Sequence, residues 1–304
     1  MNILLVAEES AGVQALKLLS KSSHQLKAVL THSDSPEKVT PITALAKKMG
    51  YKLMSAAMLK EPSFSDWITE NEIDLLLNIH SLQVICPEVI EAIKMGAYNL
   101  HPGPLPQYAG LNVPSWAIYN QESKHGVTLH KMTAKIDAGD IIDEADFPLS
   151  GIDTGLSVSM KCLKYGMPLI ERFLSNIEKG NITGKEQDLT GRTYYRANQI
   201  PNNGKIDWES SAARIDAFVR ACNYSPFSSP WGSPYTLRYG EKIFILKITV
   251  TNRSCNTTPG TVGELIDGAT SIATADYWAT VTRCMINGIH MDTNLKLSEG
   301  DLLT

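Results

Sequence analysis

The chain has 304 residues, of which 43% are hydrophobic and 20% are charged, and this balance is typical of a globular protein with a sizeable core. Its net charge of −4 provides no general attraction to nucleic acid. No apolar stretch approaches the roughly 18 residues that a helical membrane span requires, so no membrane-spanning segment is expected.

Strand-like apolar runs alternate with helical patterns in the first half of the chain. Strands are predicted over residues 3–7, 26–31, 75–79 and 98–101, and helices over 11–19, 41–49 and 87–93. This alternation predicts an α/β fold with a mostly parallel sheet of Rossmann-like architecture. A dinucleotide is not expected, because no Gly-x-Gly-x-x-Gly follows the first strand and Glu8 and Glu9 would repel a pyrophosphate.

The most informative segment runs from Asn99 to Gly110 and holds three prolines and two glycines after an Asn-Leu-His tripeptide. If residues 98–101 form a strand, Asn99 and His101 point to the same face, at a strand end where α/β sheets bind ligands. An amide and an imidazole placed together can polarise a carbonyl and move a proton. A strand followed by a stiff turn, with a capping Asn and a backbone-bonded His, is the structural alternative.

A carboxylate follows at Asp137, beside the Ala138-Gly139 turn after a predicted strand over 127–132. Near His101, it would hold the imidazole in one tautomer and favour the protonated form. Asp137 and Asp140 could instead cap the turn, and the residues alone leave both interpretations open. His130 is interpreted as a structural histidine with satisfied hydrogen bonds.

The second half of the chain has a different pattern. A helix is predicted over residues 154–179, a polar Gly/Asn-rich linker over 180–203, a helix over 210–221, and strands over 242–251, 260–265, 271–284 and 288–297. Short strands separated by Gly, Asn and Asp predict a small β-barrel or sandwich.

Five scattered cysteines form no Cys-x-x-Cys pair: Cys86, Cys162, Cys222, Cys255 and Cys284. We expect reduced, mostly buried thiols in a cytoplasmic protein, since the first ten residues also lack the pattern of a signal peptide. No metal is expected, because neither His-Glu-x-x-His nor clustered Cys/His ligands occur.

The Asn-x-His pair, the Leu-Pro and Gly after it, and Asp137-Ala138-Gly139 together resemble the catalytic pattern of the folate-dependent formyltransferases. This family includes methionyl-tRNA formyltransferase and the amino-sugar N-formyltransferases. The resemblance implies that Asn99, His101 and Asp137 are catalytic and that 10-formyltetrahydrofolate is the formyl donor. One departure is Gly103-Pro104-Leu105-Pro106, where the family usually has Ser-Leu-Leu-Pro.

The resemblance also implies a domain organisation and a donor site. A Rossmann-like catalytic domain is expected over residues 1–186, a linker over 187–204 and a small OB-like β-barrel domain over 205–304. The folate would bind largely to the backbone of two segments. The residues expected in the first are His80, Ser81, Leu82 and Val84, and those in the second are Thr133, Ala134 and Asp137.

The acceptor is expected to be a primary amine of a small molecule. The stretch 31–38 is short and not basic where methionyl-tRNA formyltransferase has a basic insertion, which argues against tRNA. The runs 31–36 and 126–132 resemble the domain that acts on nucleotide-linked amino sugars. Residues 108–116 resemble members that formylate an aminoacyl group on a carrier protein.

The alternatives are therefore methionyl-tRNA, a carrier-bound aminoacyl group, and hydrolysis of the formyl donor by water. A folate-binding protein without turnover is an alternative of another class. The intact set of Asn99, His101 and Asp137 argues against that alternative. The sequence leaves the oligomeric state open.

Overall fold

The computed structural model describes residues 1–32, 39–292 and 297–304. Most of the non-basic stretch 31–38 and the end of the last predicted strand therefore lie outside the described residues. The chain forms two compact units that alternate along the sequence. The first unit comprises residues 1–110, 125–147 and 161–194, and the second comprises 111–124, 148–160 and 195–304.

The strands of the described residues are, in chain order, β1 (Asn2–Ala7), β2 (Gln25–Thr31), β3 (Leu53–Ser55), β4 (Leu75–Ile79), β5 (Ala97–His101), β6 (Ala109–Gly110), β7 (Lys124–Lys131), β8 (Ile141–Pro148), β9 (Tyr194–Tyr195), β10 (Tyr235–Arg238), β11 (Glu241–Ser254), β12 (Val262–Ile266), β13 (Ala269–Ala273), β14 (Tyr277–Ile286) and β15 (Ile289–Asp292). The α-helices are α1 (Glu9–Leu19), α2 (Pro41–Lys48), α3 (Phe64–Glu70), α4 (Pro87–Glu91), α5 (Val113–Tyr119), α6 (Gly155–Glu178) and α7 (Ala212–Ala221).

A seven-stranded sheet with the order β3-β2-β1-β4-β5-β7-β8 forms the first unit. The pairs from β3 to β5 are parallel, and β7 runs antiparallel to β5. This confirms the predicted mostly parallel sheet. Its central strands are apolar on both faces, as expected for a sheet covered by helices on both sides.

Alternation along the strands separates two hydrophobic clusters. On one face, Leu77 and Leu100 pack with Phe173 of α6, and on the other face Leu76 and Ala97 pack with residues of α3 and α4. The second face turns polar toward the carboxyl ends of β4 and β5. The polar residues there are Asn78, Asn99, His101, Thr128 and His130.

An antiparallel sheet with the order β10-β11-β14-β13-β12 forms most of the second unit, with β15 paired to β14. The carboxyl-terminal residues bridge its two outer strands, because Thr304 exchanges two backbone hydrogen bonds with Leu237 of β10 and Asp301 O accepts from the Val262 N–H of β12. The separate β domain expected from the sequence is thus confirmed.

Among the described residues, no helix is both long enough and apolar enough to cross a membrane.

Two sequence-based boundaries were wrong. The strand predicted over 271–284 is two antiparallel strands, β13 and β14, because Thr274 and Asp276 form a turn between them. The Thr274 hydroxyl donates to Tyr277 O at 2.6 Å, and Asp276 Oδ1 accepts from Tyr277 N at 2.9 Å. The helix predicted over 87–93 ends at Glu91. The elements that were not predicted are β3, β6, β8, β9, β10, α3 and α5.

Candidate active site

The candidate site is built on two cross-strand residue pairs between β5 and β7. Asn99 lies opposite His130, and His101 lies opposite Thr128, so the four side chains share one face of the sheet. The Asn99 amide nitrogen Nδ2 lies 3.1 Å from His130 Nε2. Asn99 and His101 thus point to the same face, as their spacing predicted.

Asp137 joins this pair from the loop between β7 and β8. Its carboxylate oxygen Oδ2 accepts a hydrogen bond from the Gly110 backbone N–H at 2.8 Å and lies 3.7 Å from His101 Nδ1. Its other oxygen, Oδ1, lies 3.4 Å from His130 Nε2. The structure therefore brings the three residues proposed from the sequence together around one buried carboxylate.

The His130 ring has a defined tautomer in its neutral form. Nδ1 lies 3.0 Å from the Lys131 carbonyl, which can only accept, so Nδ1 carries the hydrogen. Nε2 is then the acceptor for the Asn99 amide. One N–H of the Asn99 amide is directed at His130, and within the described parts of the chain the other N–H has no acceptor. Both ring nitrogens of His130 therefore have hydrogen-bond partners, as expected for a structural histidine, and one of these partners is the Asn99 amide.

His101 also has a defined hydrogen-bond pattern. Its Nε2 donates to the Tyr108 carbonyl at 2.6 Å, so Nδ1 holds the lone pair when the ring is neutral. Burial lowers the pKa of His101, although Asp137 and the bond to Tyr108 act in the opposite direction. Asp137 therefore favours the protonated imidazole, as its place in the sequence predicted, whereas burial opposes protonation and is the larger of the two effects.

Asp137 remains ionised beside these rings. Burial alone would raise the pKa of Asp137, but the neighbouring imidazoles of His101 and His130 and the hydrogen bond from the Gly110 N–H hold that pKa well below the usual range. A carboxylate beside groups that can bear positive charge, and with a backbone N–H bound to it, resists protonation. The cluster thus contains one fixed negative charge close to an imidazole nitrogen that is free to take up a proton.

The proline-rich loop after His101 is held through its carbonyl groups, since prolines have no N–H to donate. His125 Nε2 donates to Pro102 O at 2.9 Å, and the Thr128 hydroxyl donates to Gly103 O at 2.8 Å. Burial lowers the pKa of His125 to about 4, which keeps the ring neutral. His125 was not among the residues predicted from the sequence, although its alternation with Val127 and Leu129 places it on the apolar face of the strand.

The first segment expected to bind folate follows β4. His80 has a φ of 58°, and burial, with a smaller effect of His101, lowers its pKa to about 4. Ser81 is buried and accepts the Gln83 N–H at 3.3 Å, whereas Leu82 and Val84 expose 72% and 57% of their surface. The loop therefore presents two apolar side chains to its surroundings.

Two buried acceptors near this loop have no hydrogen-bond partner among the described residues. They are Asn78 Oδ1 and Gln83 Oε1, on side chains that are each 4% exposed. Their amide nitrogens donate to Ser81 O and Val84 O, so the oxygens cannot be exchanged with them by an amide flip. A polar residue within the apolar run Leu75–Ile79 was the sequence signal for Asn78.

The second segment expected to bind folate lies in the loop after β7. Thr133 and Ala134 are exposed, and the Thr133 hydroxyl donates to Lys135 O at 3.0 Å. Asp137 is buried and reaches the cluster described above.

Across residues 1–32, 39–292 and 297–304, no three His, Cys, Asp or Glu side chains are arranged to hold a metal ion.

Comparison with protein families identifies both parts of the chain. The formyl transferase family model matches residues 1–171, and the model of the formyl transferase C-terminal domain matches residues 199–293. The first match includes Asn99, His101 and Asp137.

Solved structures share the fold. The N-formyltransferase from Helicobacter canadensis, in complex with folinic acid and dTDP-3-aminofucose, has 20% identity and a TM-score of 0.70, with 92% of this chain and 98% of that chain covered. WlaRD, a sugar 3N-formyl transferase solved with dTDP and 5-N-formyl-THF, has 19% identity and a TM-score of 0.70, with 95% and 98% covered. HypX from Aquifex aeolicus, in complex with tetrahydrofolic acid, has 19% identity and a TM-score of 0.65, with 99% and 50% covered.

Proposed function

Because the chain belongs to the formyl transferase family, we propose that it moves the formyl group of 10-formyltetrahydrofolate to the primary amine of a nucleotide-linked amino sugar. The observation that carries this proposal is the cluster of the half-buried Asn99 with the buried His101 and Asp137. It brings together an amide N–H donor, an imidazole nitrogen and a carboxylate.

The choice of acceptor is supported by the sugar N-formyltransferases that share the fold. One of them was solved with dTDP-3-aminofucose, and this chain covers 98% of that protein. The net charge of −4 also disfavours an acceptor that is held through many phosphates. A small amine attached to a nucleotide therefore fits better than a tRNA.

The residues near β4 suit the folate donor. A reduced pterin ring carries several N–H donors, and Asn78 Oδ1 and Gln83 Oε1 are buried acceptors that lack partners among the described residues. Leu82 and Val84 supply exposed apolar surface for the flat ring. We propose His80, Ser81, Leu82 and Val84, with Thr133, Ala134 and Asp137, as the donor-binding residues.

Asn99 would stabilise the charge that develops during the reaction. As the acceptor amine attacks the formyl carbon, the formyl oxygen becomes negative, and the uncommitted N–H of Asn99 donates to it. His130 holds the other N–H, so the amide is already oriented before the reaction begins. Removal of one such preorganised donor typically lowers the rate by about 100- to 1,000-fold.

His101 would transfer the proton that the reaction must move. Its neutral Nδ1 accepts a proton from the attacking nitrogen as the new C–N bond forms. Asp137, 3.7 Å away, stabilises the resulting imidazolium. His101 then gives the proton to N10 of the folate as the bond between N10 and the formyl carbon breaks, so the cycle ends with neutral His101.

The proposed location is the cytoplasm, and the five cysteines support it because all of them are free thiols.

An acceptor panel tests the proposed function. Tetrahydrofolate release from 10-formyltetrahydrofolate would be measured with no acceptor, with nucleotide-linked amino sugars, with methionyl-tRNA and with an aminoacylated carrier protein. The proposal predicts release that depends on a sugar. Release that needs tRNA or the carrier would overturn the acceptor assignment, and release without acceptor would identify a hydrolase.

A further inference from the structure

The segment that follows α6 contacts the loop that carries Asp137. We name residues 184–193 the clasp segment and residues 132–140 the Asp137 loop, and both belong to the first unit. Lys185 and Ile141 exchange two backbone hydrogen bonds of 2.8 Å, which anchor the clasp segment beside the start of β8. The clasp segment lies between the two family matches, which end at residue 171 and begin again at residue 199.

We propose that Gln187 is a positioning residue that holds Asp137 in its working conformation, an inference that rests on the formyl transfer proposed above. Gln187 is 7% exposed, and its amide nitrogen Nε2 donates to Gly139 O at 2.6 Å and to Asp137 O at 3.2 Å. Both partners are carbonyls that can only accept. The orientation of the amide is therefore determined, and each of its N–H groups has one carbonyl to bind.

A second side chain of the clasp segment binds the same loop. Arg192 Nη2 donates to Ile136 O at 2.7 Å, and its guanidinium carbon lies 4.9 Å from the centre of the Tyr194 ring. Together, Gln187 and Arg192 bind three carbonyls of the loop, at Ile136, Asp137 and Gly139. These bonds reach the loop backbone from side chains that are distant in sequence.

The conformation of Asp137 explains why its backbone must be held. Its φ of 50° lies in the left-handed region, which is unfavourable for residues other than glycine and persists where the surroundings enforce it. The loop also packs tightly, because a Cβ atom added at Gly139 would lie 2.0 Å from Lys131 O. Relaxation of this backbone would withdraw the carboxylate from the Gly110 N–H and from both imidazoles.

The protonation of His101 reports on the position of this carboxylate. Four titratable side chains influence or are influenced by His101, namely His80, His125, His130 and Asp137. Asp137 is the member that raises the pKa of His101. Displacement of Asp137 would therefore lower the pKa of His101 further and shift the pH–rate profile. A general loss of folded protein would reduce the rate but leave the pH profile of the remaining active molecules unchanged.

The test compares Gln187→Leu, which removes both donors, with Glu186→Leu, an adjacent exposed position. For Gln187→Leu we expect at least a tenfold lower kcat, an acid limb of the rate profile shifted to lower pH, and faster hydrogen exchange at the Gly110 N–H. Glu186→Leu should match the wild type. Gln187→Asn, which keeps an amide on a shorter side chain, should give intermediate values and replaces the leucine variant if that variant does not fold.

Two results would overturn the positioning role. One is a Gln187→Leu enzyme with the kcat and pH profile of the wild type. The other is a loss of kcat with an unchanged pH profile and exchange accelerated throughout the first unit. A wild type that transfers no formyl group would refute the proposed function instead, and exchange at the Gly110 N–H would still decide whether Gln187 holds Asp137.

Discussion

Asn99 and His130 face each other across β5 and β7, and the Asn99 amide donates to the unprotonated nitrogen of the His130 ring. This contact fixes the orientation of the Asn99 amide. His130→Phe keeps an aromatic ring but removes the acceptor, so we expect kcat to fall about 10- to 100-fold through misplacement of Asn99. His130→Gln, which retains an acceptor oxygen, should recover part of the loss. Steady-state kinetics with unchanged donor affinity would support this role, and wild-type kcat in His130→Phe would contradict it.

Asn99→Ala tests the donor to the developing negative charge. We expect kcat to fall by roughly 100- to 1,000-fold while the Kd of the folate donor stays within a few fold, because the lost bond forms mainly in the transition state. Asn181→Ala, at an exposed position of the first unit, is the matched control. Binding titration beside single-turnover kinetics separates the two effects. A variant that loses folate affinity but keeps its rate would assign Asn99 to binding.

His125 predicts a pH dependence of stability. Its pKa is lowered from 6.5 to about 4, so the unfolded chain binds a proton that the folded chain does not, and stability decreases as the pH falls from about 6.5 to about 4. The buried ring contributes up to roughly 3 kcal/mol to this decrease. Urea unfolding of His125→Phe should give a smaller stability difference between these two pH values than the wild type. The exposed His290→Phe serves as the control, and an equal difference in wild type and His125→Phe would contradict the prediction.

Gly139→Ala tests the tight packing of the Asp137 loop. An added Cβ would lie 2.0 Å from Lys131 O, a backbone atom that cannot move aside alone. We expect a loss of about 1–3 kcal/mol in the free energy of unfolding, together with reduced turnover. Gly151→Ala is the matched control, since nothing lies within 4 Å of its added Cβ. Equal unfolding midpoints for the two variants would show that the loop is not constrained at Gly139.

The sequence predicted the members of the candidate site best where strand alternation and a sequence motif pointed to the same residues. Alternation placed Asn99 and His101 on one face, and the motif around Asp137 supplied the third member of the cluster. The protonation of His101 could not be predicted in this way, because it depends on how burial balances the carboxylate, and burial is a property of the folded site.

Contacts between segments that are distant in sequence could not be predicted from local sequence patterns either. Gln187 lies in a polar stretch that resembles a linker, and its bonds to the Asp137 loop connect residues about 50 positions apart. Helix α5 belongs to the second unit although it lies between strands of the first, and there Trp116 stacks on Tyr195 at 4.6 Å and meets Trp231 at 4.8 Å. No periodic pattern encodes these pairings, since each depends on where distant segments return.

Single-turnover formyl transfer to a nucleotide-linked amino sugar shows whether Asn99 and His101 carry out the proposed chemistry. The wild type, Asn99→Ala and His101→Ala would be mixed with 10-formyltetrahydrofolate and the acceptor, and the formylated sugar would be detected by mass spectrometry. We expect rapid product formation by the wild type and a rate at least about 100-fold lower in both variants, with the donor still bound. Product formed at the wild-type rate by either variant, or bound donor in the wild type without any formylated sugar, would contradict it.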